Sequence, residues 1–244
     1  MTHDEIIDFL KTLNPNDFIN NKFHYEKIYD KYETINGGEY INGGEYINGF
    51  KFKHSRHTNG ENGELGMVLA TYSEIEDNLI TKDFLLKKIK NSVNSVIAKK
   101  ENKAIELLSD FSATNLYDGK LLSEESLKLA ITQAIRLKDQ SGICNINCKT
   151  LLIGTANLFI VDGLKYLPWF EKYFPKGYIV NPYVKDNLAA ILTDAPDGFK
   201  LFQRQELQFC HWVDNATKEI WFACSERYSF VNLNHRSIYF ISSK

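Results

Sequence analysis

The chain has 244 residues, 43% hydrophobic and 25% charged, and its 29 basic against 31 acidic residues leave a formal net charge of −2. A chain of this length buries about three-quarters of its unfolded surface, so these proportions exclude wholesale disorder and fibrous repeats and indicate one large domain or two small ones. A near-neutral charge argues against a dedicated nucleic-acid binder, which carries a basic patch or stripe, and no window holds the ~20 apolar residues of a membrane span. The acidic start, Met1-Thr-His-Asp-Glu-Ile-Ile7, is unlike a secretory signal.

A short helix is predicted over 4–13, breaking at Asn14-Pro15-Asn16. Residues 1–33 as a whole hold no steady apolar period and read as an N-terminal arm rather than a core segment. Residues 35–49 then repeat a hexad: Ile35-Asn-Gly-Gly-Glu-Tyr40, Ile41-Asn-Gly-Gly-Glu-Tyr46, Ile47-Asn-Gly49. Two and a half hexads fall short of the three or so coils a solenoid needs, whereas each Asn-Gly supports a tight turn. The stretch 34–66 therefore predicts a two-stranded extended projection, too poor in apolar residues to pack on itself. Loops of that length in compact proteins are usually functional or engage a partner.

From Thr81 the pattern turns helical, with Leu86, Ile89, Val93, Val96/Ile97, Ala104 and Leu107/Leu108 recurring every three or four positions. The lysines at 87, 88, 90, 99, 100 and 103 fall on other, solvated faces. At 1.5 Å rise, such a helix of roughly 28 residues spans ~40 Å. Asn115-Leu-Tyr-Asp-Gly119 is a turn, after which Ser123 can N-cap a second helix with Glu124 and Glu125 at its positive end. Leu127, Ala130, Ile131, Ala134, Ile135 and Lys138 form its inner stripe, and Gly142 closes it. Strands at 150–154, 178–180 and 188–192 accompany a helix over 156–167 that ends before Pro168. Residues 199–209 are extended, Asp214-Asn215 turns the chain, and 219–231 alternates Ile220, Phe222, Cys224, Glu226, Tyr228 and Phe230 with Trp221, Ala223, Ser225, Arg227 and Ser229. That is one long antiparallel hairpin. A last strand covers Ser237–Ile241.

Chemistry-bearing motifs are sparse. No P-loop, GxGxxG, GxSxG or HExxH is present, and the Gly-Gly-Glu repeats lack the strand–loop–helix framing of a phosphate cradle. Cys144-x3-Cys148 lacks the spacing of a zinc knuckle, and cysteines in strand-like segments read as small core residues with reduced thiols. His54-x2-His57 would need further ligands to hold a metal. Arg204, Glu206, Glu226 and Arg227 read as cross-strand ion pairs on the hairpin surface. No catalytic residue, metal ligand or cofactor site is assigned.

The order of segments, and several stretches within them, nevertheless resemble a known family. Gly43-Gly-Glu-Tyr46 with Val68-Leu-Ala-Thr-Tyr72, and Glu76-Asp-Asn-Leu-Ile-Thr-Lys-Asp83 before the long helix, carry part of the likeness. Asp118-Gly-Lys-x-Leu-Ser-Glu-Glu-Ser-Leu127, Ala134-Ile-Arg-Leu-Lys-Asp-Gln-Ser-Gly142 and Asn147-x-Lys-Thr-Leu-Leu-Ile153 carry the strongest part. Phe202-Gln-Arg-Gln-Glu-Leu207, Glu226-Arg-Tyr228 and Arg236 complete it. Over 34–244 the chain resembles the major capsid proteins of tailed phages, which have the HK-type shell fold, and most of all the major head subunit of Mu-like phages.

The resemblance implies an α+β HK-type capsid fold with a long spine helix. It implies an arm over 1–33 and an extended loop (E-loop) over 34–70 that lies across a neighbouring subunit. A peripheral domain would comprise 71–117 and 198–232, and an axial domain 118–197 and 233–244. The implied role is structural and non-enzymatic: self-assembly into an icosahedral shell of hexamers and pentamers that encloses phage DNA without reading its sequence. Scaffold and portal proteins would be further partners, with no membrane and no cofactor. The location would be the virion, and the host cytoplasm during assembly. Glu45, Tyr46, Phe50, Lys51, Phe52 and Lys53 are the expected inter-subunit contacts. Some phages of this fold crosslink through Lys–Asn isopeptide bonds, but nothing here matches that motif residue by residue. The short chain and the expanded hexad leave a prophage remnant, a gene-transfer-agent subunit or an encapsulin-like compartment as alternatives. A monomeric binding module using the glycine-rich loop is the alternative of a different class.

Overall fold

The computed structural model describes residues 1–19, 28–33, 39–41, 44–47, 50–53, 61–110, 116–118, 122–139, 141–196 and 198–242. Among them are six α-helices: α1 (His3–Lys11), α2 (Tyr72–Glu76), α3 (Lys82–Asp110), α4 (Glu124–Ile135), α5 (Leu158–Leu164) and α6 (Pro168–Tyr173). The strands of the first half are β1 (Asp30–Glu33), β2 (Glu39–Ile41), β3 (Gly44–Ile47), β4 (Phe50–Lys53) and β5 (Glu61–Ala70). Those of the second half are β6 (Leu116–Asp118), β7 (Cys148–Ile153), β8 (Tyr178–Val180), β9 (Leu188–Thr193), β10 (Phe199–Val213), β11 (Ile220–Asn232) and β12 (Ile238–Ser242). The chain divides into a first unit (1–22, 32–100, 202–229) and a second unit (23–31, 101–201, 230–244).

The first unit is a helix-on-sheet core. Thr2 starts α1 with a capping box, its hydroxyl accepting from the Glu5 N–H while the Glu5 carboxylate accepts from the Thr2 N–H. Ile6 and Leu10, one turn apart on α1, are buried at 0% and 4% exposure, and the Met1 amine donates to the Ile80 carbonyl at 3.0 Å. The reading of this stretch as an arm rather than a core segment is therefore corrected for α1: Ile6 and Leu10 are buried in the core cluster, and Ile7 and Phe9 pack against it partly buried. Thr71 caps α2 by the same box with Glu74, and Thr81 accepts from the Phe84 N–H at the start of α3. Leu85, Ile89, Val93 and Val96 of α3 pack with Leu69, Leu207, Ile220, Phe222 and Cys224. The helix phase differs by one residue from the sequence reading at its start, since Leu85 is fully buried and Leu86 only half.

Strand β11 alternates as its sequence predicts, burying Ile220, Phe222, Cys224, Glu226, Tyr228 and Phe230. It pairs antiparallel with β5, Met67 facing Phe222 and Leu65 facing Cys224, with an irregularity between Ile220 and Trp221. The described residues of 34–66 depart from the expected two-stranded projection, while 34–38, 42–43, 48–49 and 54–60 lie outside the described residues. Strands β2, β3 and β4 form a three-stranded antiparallel sheet, and the last part of the stretch begins β5. The hexad explains the meander: each Glu-Tyr-Ile gives a strand, and each strand is separated from the next by two residues.

The second unit is a five-stranded mixed sheet in the order β6-β12-β9-β7-β8. Strand β9 runs antiparallel to both β12 and β7, while β6 and β8 pair parallel at the edges. Ser123 caps α4, whose Leu127, Ala130, Ile131 and Ala134 pack on Leu151, Ile153, Ile191, Tyr239 and Ile241. The helix stops at Ile135, so Lys138 lies beyond it and is exposed rather than on the inner stripe. The other sheet face is buried too, through Leu152, Ala190, Ile238 and Phe240, as expected for a sheet with near-continuous apolar strands. Pro168 does not merely end a helix. It opens α6 at a position where its missing N–H costs nothing. The region 101–110 of α3 belongs to this unit, where the Tyr29 hydroxyl donates to the Ala104 carbonyl at 2.8 Å.

Candidate assembly surface

The six residues expected at an inter-subunit contact lie on two adjacent strands. Glu45 and Tyr46 are in β3, and Phe50, Lys51, Phe52 and Lys53 make up β4. The register sets Tyr46 opposite Lys51, Glu45 opposite Phe52, Ile47 opposite Phe50 and Gly44 opposite Lys53. Directly opposed residues share a face of a sheet and strand neighbours alternate. Glu45, Phe50 and Phe52 therefore fall on one face, and Tyr46, Lys51 and Lys53 on the other. Within this sheet β2 and β4 are the edges, and an edge strand presents N–H and C=O groups able to pair with another chain.

A second surface was not foreseen. In the second unit, Phe159 is 84% and Tyr166 79% exposed, and Ile160 on α5 is 37% exposed. The cause is local: Leu158-Phe-Ile-Val161 places four apolar residues on one helical turn, about 100° apart, so they cannot all face one core. Val161 takes the core position, fully buried. This run of four in a short helix was the available signal. The turn after α5 is held by Asp162, which accepts from the Tyr178 hydroxyl at 2.5 Å and pairs with Lys165 at 2.8 Å. Those contacts, Lys165 first, hold the Asp162 carboxyl below the usual carboxylate range.

In the first unit, the outer side of the hairpin carries Trp212, 44% exposed and stacked on Trp221 at 5.8 Å between ring centroids. On its inner side, Glu226 is not a surface partner of neighbouring strands. It is buried and accepts from Lys100 Nζ of α3 at 2.8 Å, with side-chain exposures of 6% and 5%. Lys100 also lies 4.8 Å above the Tyr228 ring. The solvated-lysine reading of α3 is thus corrected for Lys100, which continues the buried stripe four residues after Val96, while Lys87, Lys90 and Lys99 are exposed. Burial lifts the Glu226 carboxyl above its usual range, and Lys100 opposes that rise.

None of the four cysteines is in a disulfide. Cys148 and Cys224 are buried in strands, whereas Cys144 and Cys210 are exposed. Burial, with Asp194 nearby, pushes the Cys148 thiol up to about 12, and burial above all pushes Cys224 up to about 11, so both stay protonated at neutral pH. Among the described residues no three His, Cys, Asp or Glu side chains gather into a metal-sized cluster. His54 and His57 lie outside the described residues.

No protein-family profile and no curated protein sequence matches the chain. Solved structures do. A virus-like particle from Pyrococcus furiosus is similar at a TM-score of 0.61 with 14% identity, over 93% of this chain and 96% of that one. The holo-SrpI encapsulin complex of Synechococcus elongatus PCC 7942 is similar at 0.59 with 10% identity, over 95% and 88%. The capsid of a native GTA particle is similar at 0.53 with 11% identity, over 90% and 89%. At these identities the likeness is one of fold, and it is end to end: the mixed helix-and-sheet chain has the phage-capsid-type fold of viral and encapsulin shells.

Proposed function

We propose that the chain is a structural shell subunit, assembling with copies of itself into a closed capsid-like particle. The observation that carries this reading is the match of fold over nearly the full length of both partners, to chains whose structures are particles, capsids or encapsulins. The surfaces are compatible with it: β2 and β4 are the edges of their sheet, and Phe159 and Tyr166 are exposed on the second unit, where contacts with other copies would cover them. Closed assemblies bury such patches in repeated contacts between identical chains.

In the finer reading, α3 is the spine helix of an HK-type subunit and 34–70 its extended loop. Residues 71–117 with 198–232 form the peripheral domain, and 118–197 with 233–244 the axial domain. Hexamers and pentamers of the subunit enclose DNA, with scaffold and portal partners, in a virion built in the host cytoplasm; the Mu-like head subunits are the relatives proposed from sequence. The similarity to the SrpI encapsulin favours a second reading, a compartment that holds protein rather than DNA. Light scattering and negative-stain microscopy of the purified protein test both. Regular hollow particles are expected, and their contents separate the readings, nuclease-protected DNA for a capsid or one co-purifying protein for a compartment. A protein that stays monomeric at high concentration, with and without a co-expressed scaffold, refutes assembly and leaves the binding-module alternative.

A further inference from the structure

The second unit holds a cavity of about 860 Å³. Its lining joins the start of β7, the end of β9 and the loop after α6, with Leu192 and Phe199 on the apolar part of the wall. Lys149, Lys172 and Lys176 also line it. The Lys176 N–H donates to the Lys149 carbonyl at 3.1 Å, and Lys172 stands four residues earlier at the end of α6, so the fold brings the three residues to one side of the cavity, Lys149 half-buried and Lys172 and Lys176 exposed. Lys172 lies 5.4 Å over the Tyr173 ring, and none of the three lysines is in an ion pair among the described residues. The acid of the lining, Asp194, is already engaged: its two oxygens accept from the Asn147 backbone N–H at 2.7 Å and side-chain amide at 3.1 Å.

Three cations against one committed carboxylate, beside an apolar wall, define the chemistry of a ligand. We propose that this cavity binds a small amphipathic anion, its carboxylate or phosphate head held by Lys149, Lys172 and Lys176 and its apolar body laid against Leu192 and Phe199. The volume is in the range of ligand pockets, roughly 300–1,000 Å³. It suits a compact organic anion better than a nucleic-acid duplex, which offers phosphates but no apolar body. The site lies within one unit and stands independently of the shell reading.

Isothermal titration and thermal shift of the full-length protein, below micelle concentration, test this with four probes: decanoate, decyl phosphate, inorganic phosphate and decyltrimethylammonium. At least one of the two decyl anions should bind saturably and raise the melting temperature by mass action, and which one binds tighter tells a carboxylate ligand from a phosphate one. The double variant Lys149→Gln/Lys176→Gln, at side chains outside the core, should keep its melting temperature without ligand and lose at least tenfold in affinity. Three results overturn the proposal: no binding of either decyl anion, equal binding of the decyl cation or of inorganic phosphate, or undiminished affinity in the folded double variant. Particle formation, scored in parallel by light scattering, reports on the shell reading separately.

Discussion

The buried pair Lys100–Glu226 offers the sharpest test of the first unit. Both side chains are about 5% exposed and their charged atoms lie 2.8 Å apart. Lys100→Met keeps most of the volume but removes the ammonium above Tyr228 and strands a carboxylate in the core. Removing one partner of a buried pair typically costs about 3–5 kcal/mol, whereas replacing both by apolar groups is near neutral or stabilising. With a urea slope of about 3 kcal/mol/M, that loss lowers the unfolding midpoint by roughly 1–2 M. The double variant Lys100→Met/Glu226→Leu should recover most of it. The effect also carries a pH signature. The Glu226 carboxyl is raised by burial, so its contribution favours the fold when protonated and is lost as pH rises through the raised value. Without Lys100 only the burial effect remains, so the cost of Lys100→Met should be greatest at neutral pH and shrink as the solution is acidified. Urea titrations of the two variants and the parent at neutral and mildly acidic pH measure this. A cost below about 1 kcal/mol at neutral pH, or one that does not change with pH, refutes the view that the pair is desolvated.

Ile89→Ala should destabilise by about 2–5 kcal/mol, because Ile89 is fully buried in the α3–hairpin core, while exposed Lys90→Ala should change stability by less than ~0.5 kcal/mol; equal melting shifts would mean the helix phase is wrong. Deleting Ile41–Tyr46 should convert the three-stranded meander to two strands and keep the pairing chemistry of β4, since Glu39-Tyr-Ile41 and Glu45-Tyr-Ile47 are the same tripeptide. Its melting temperature should stay near that of the parent while particle yield falls, and failure to fold would place the meander in the core. Gly154→Ala should cost about 1–3 kcal/mol, because a Cβ there would meet the Val184 carbonyl oxygen at 2.5 Å. Phe159→Ser with Tyr166→Ser should leave the melting temperature nearly unchanged yet reduce assembly by light scattering; unaltered particles would remove this surface from the contact set.

Much of the local structure is determined by residues that are near neighbours. The caps at Ser123 and Thr81 and the alternation along 220–230 each encode their element within a turn or a strand, so they can be read in one dimension. The arrangement of segments likewise indicated a capsid-type fold. What only the tertiary structure decided depends on partners distant in sequence. Lys100 looks like one more solvated lysine until Glu226, 126 residues away, is brought beneath it. Leu85 rather than Leu86 faces the core because the hairpin and α1 fix the rotation of α3, which an apolar pair at adjacent positions leaves open. Residues 61–66 look like the tail of an exposed loop because Glu, Asn and Gly carry no apolar signal, yet backbone hydrogen bonds to β11 make them strand, and such bonds ask nothing of side-chain type. Helix α1 joins the core through only two deeply buried residues, a signal too short to outweigh the polar residues around it, and their burial becomes visible only when Leu69 and Ile80 supply the other wall.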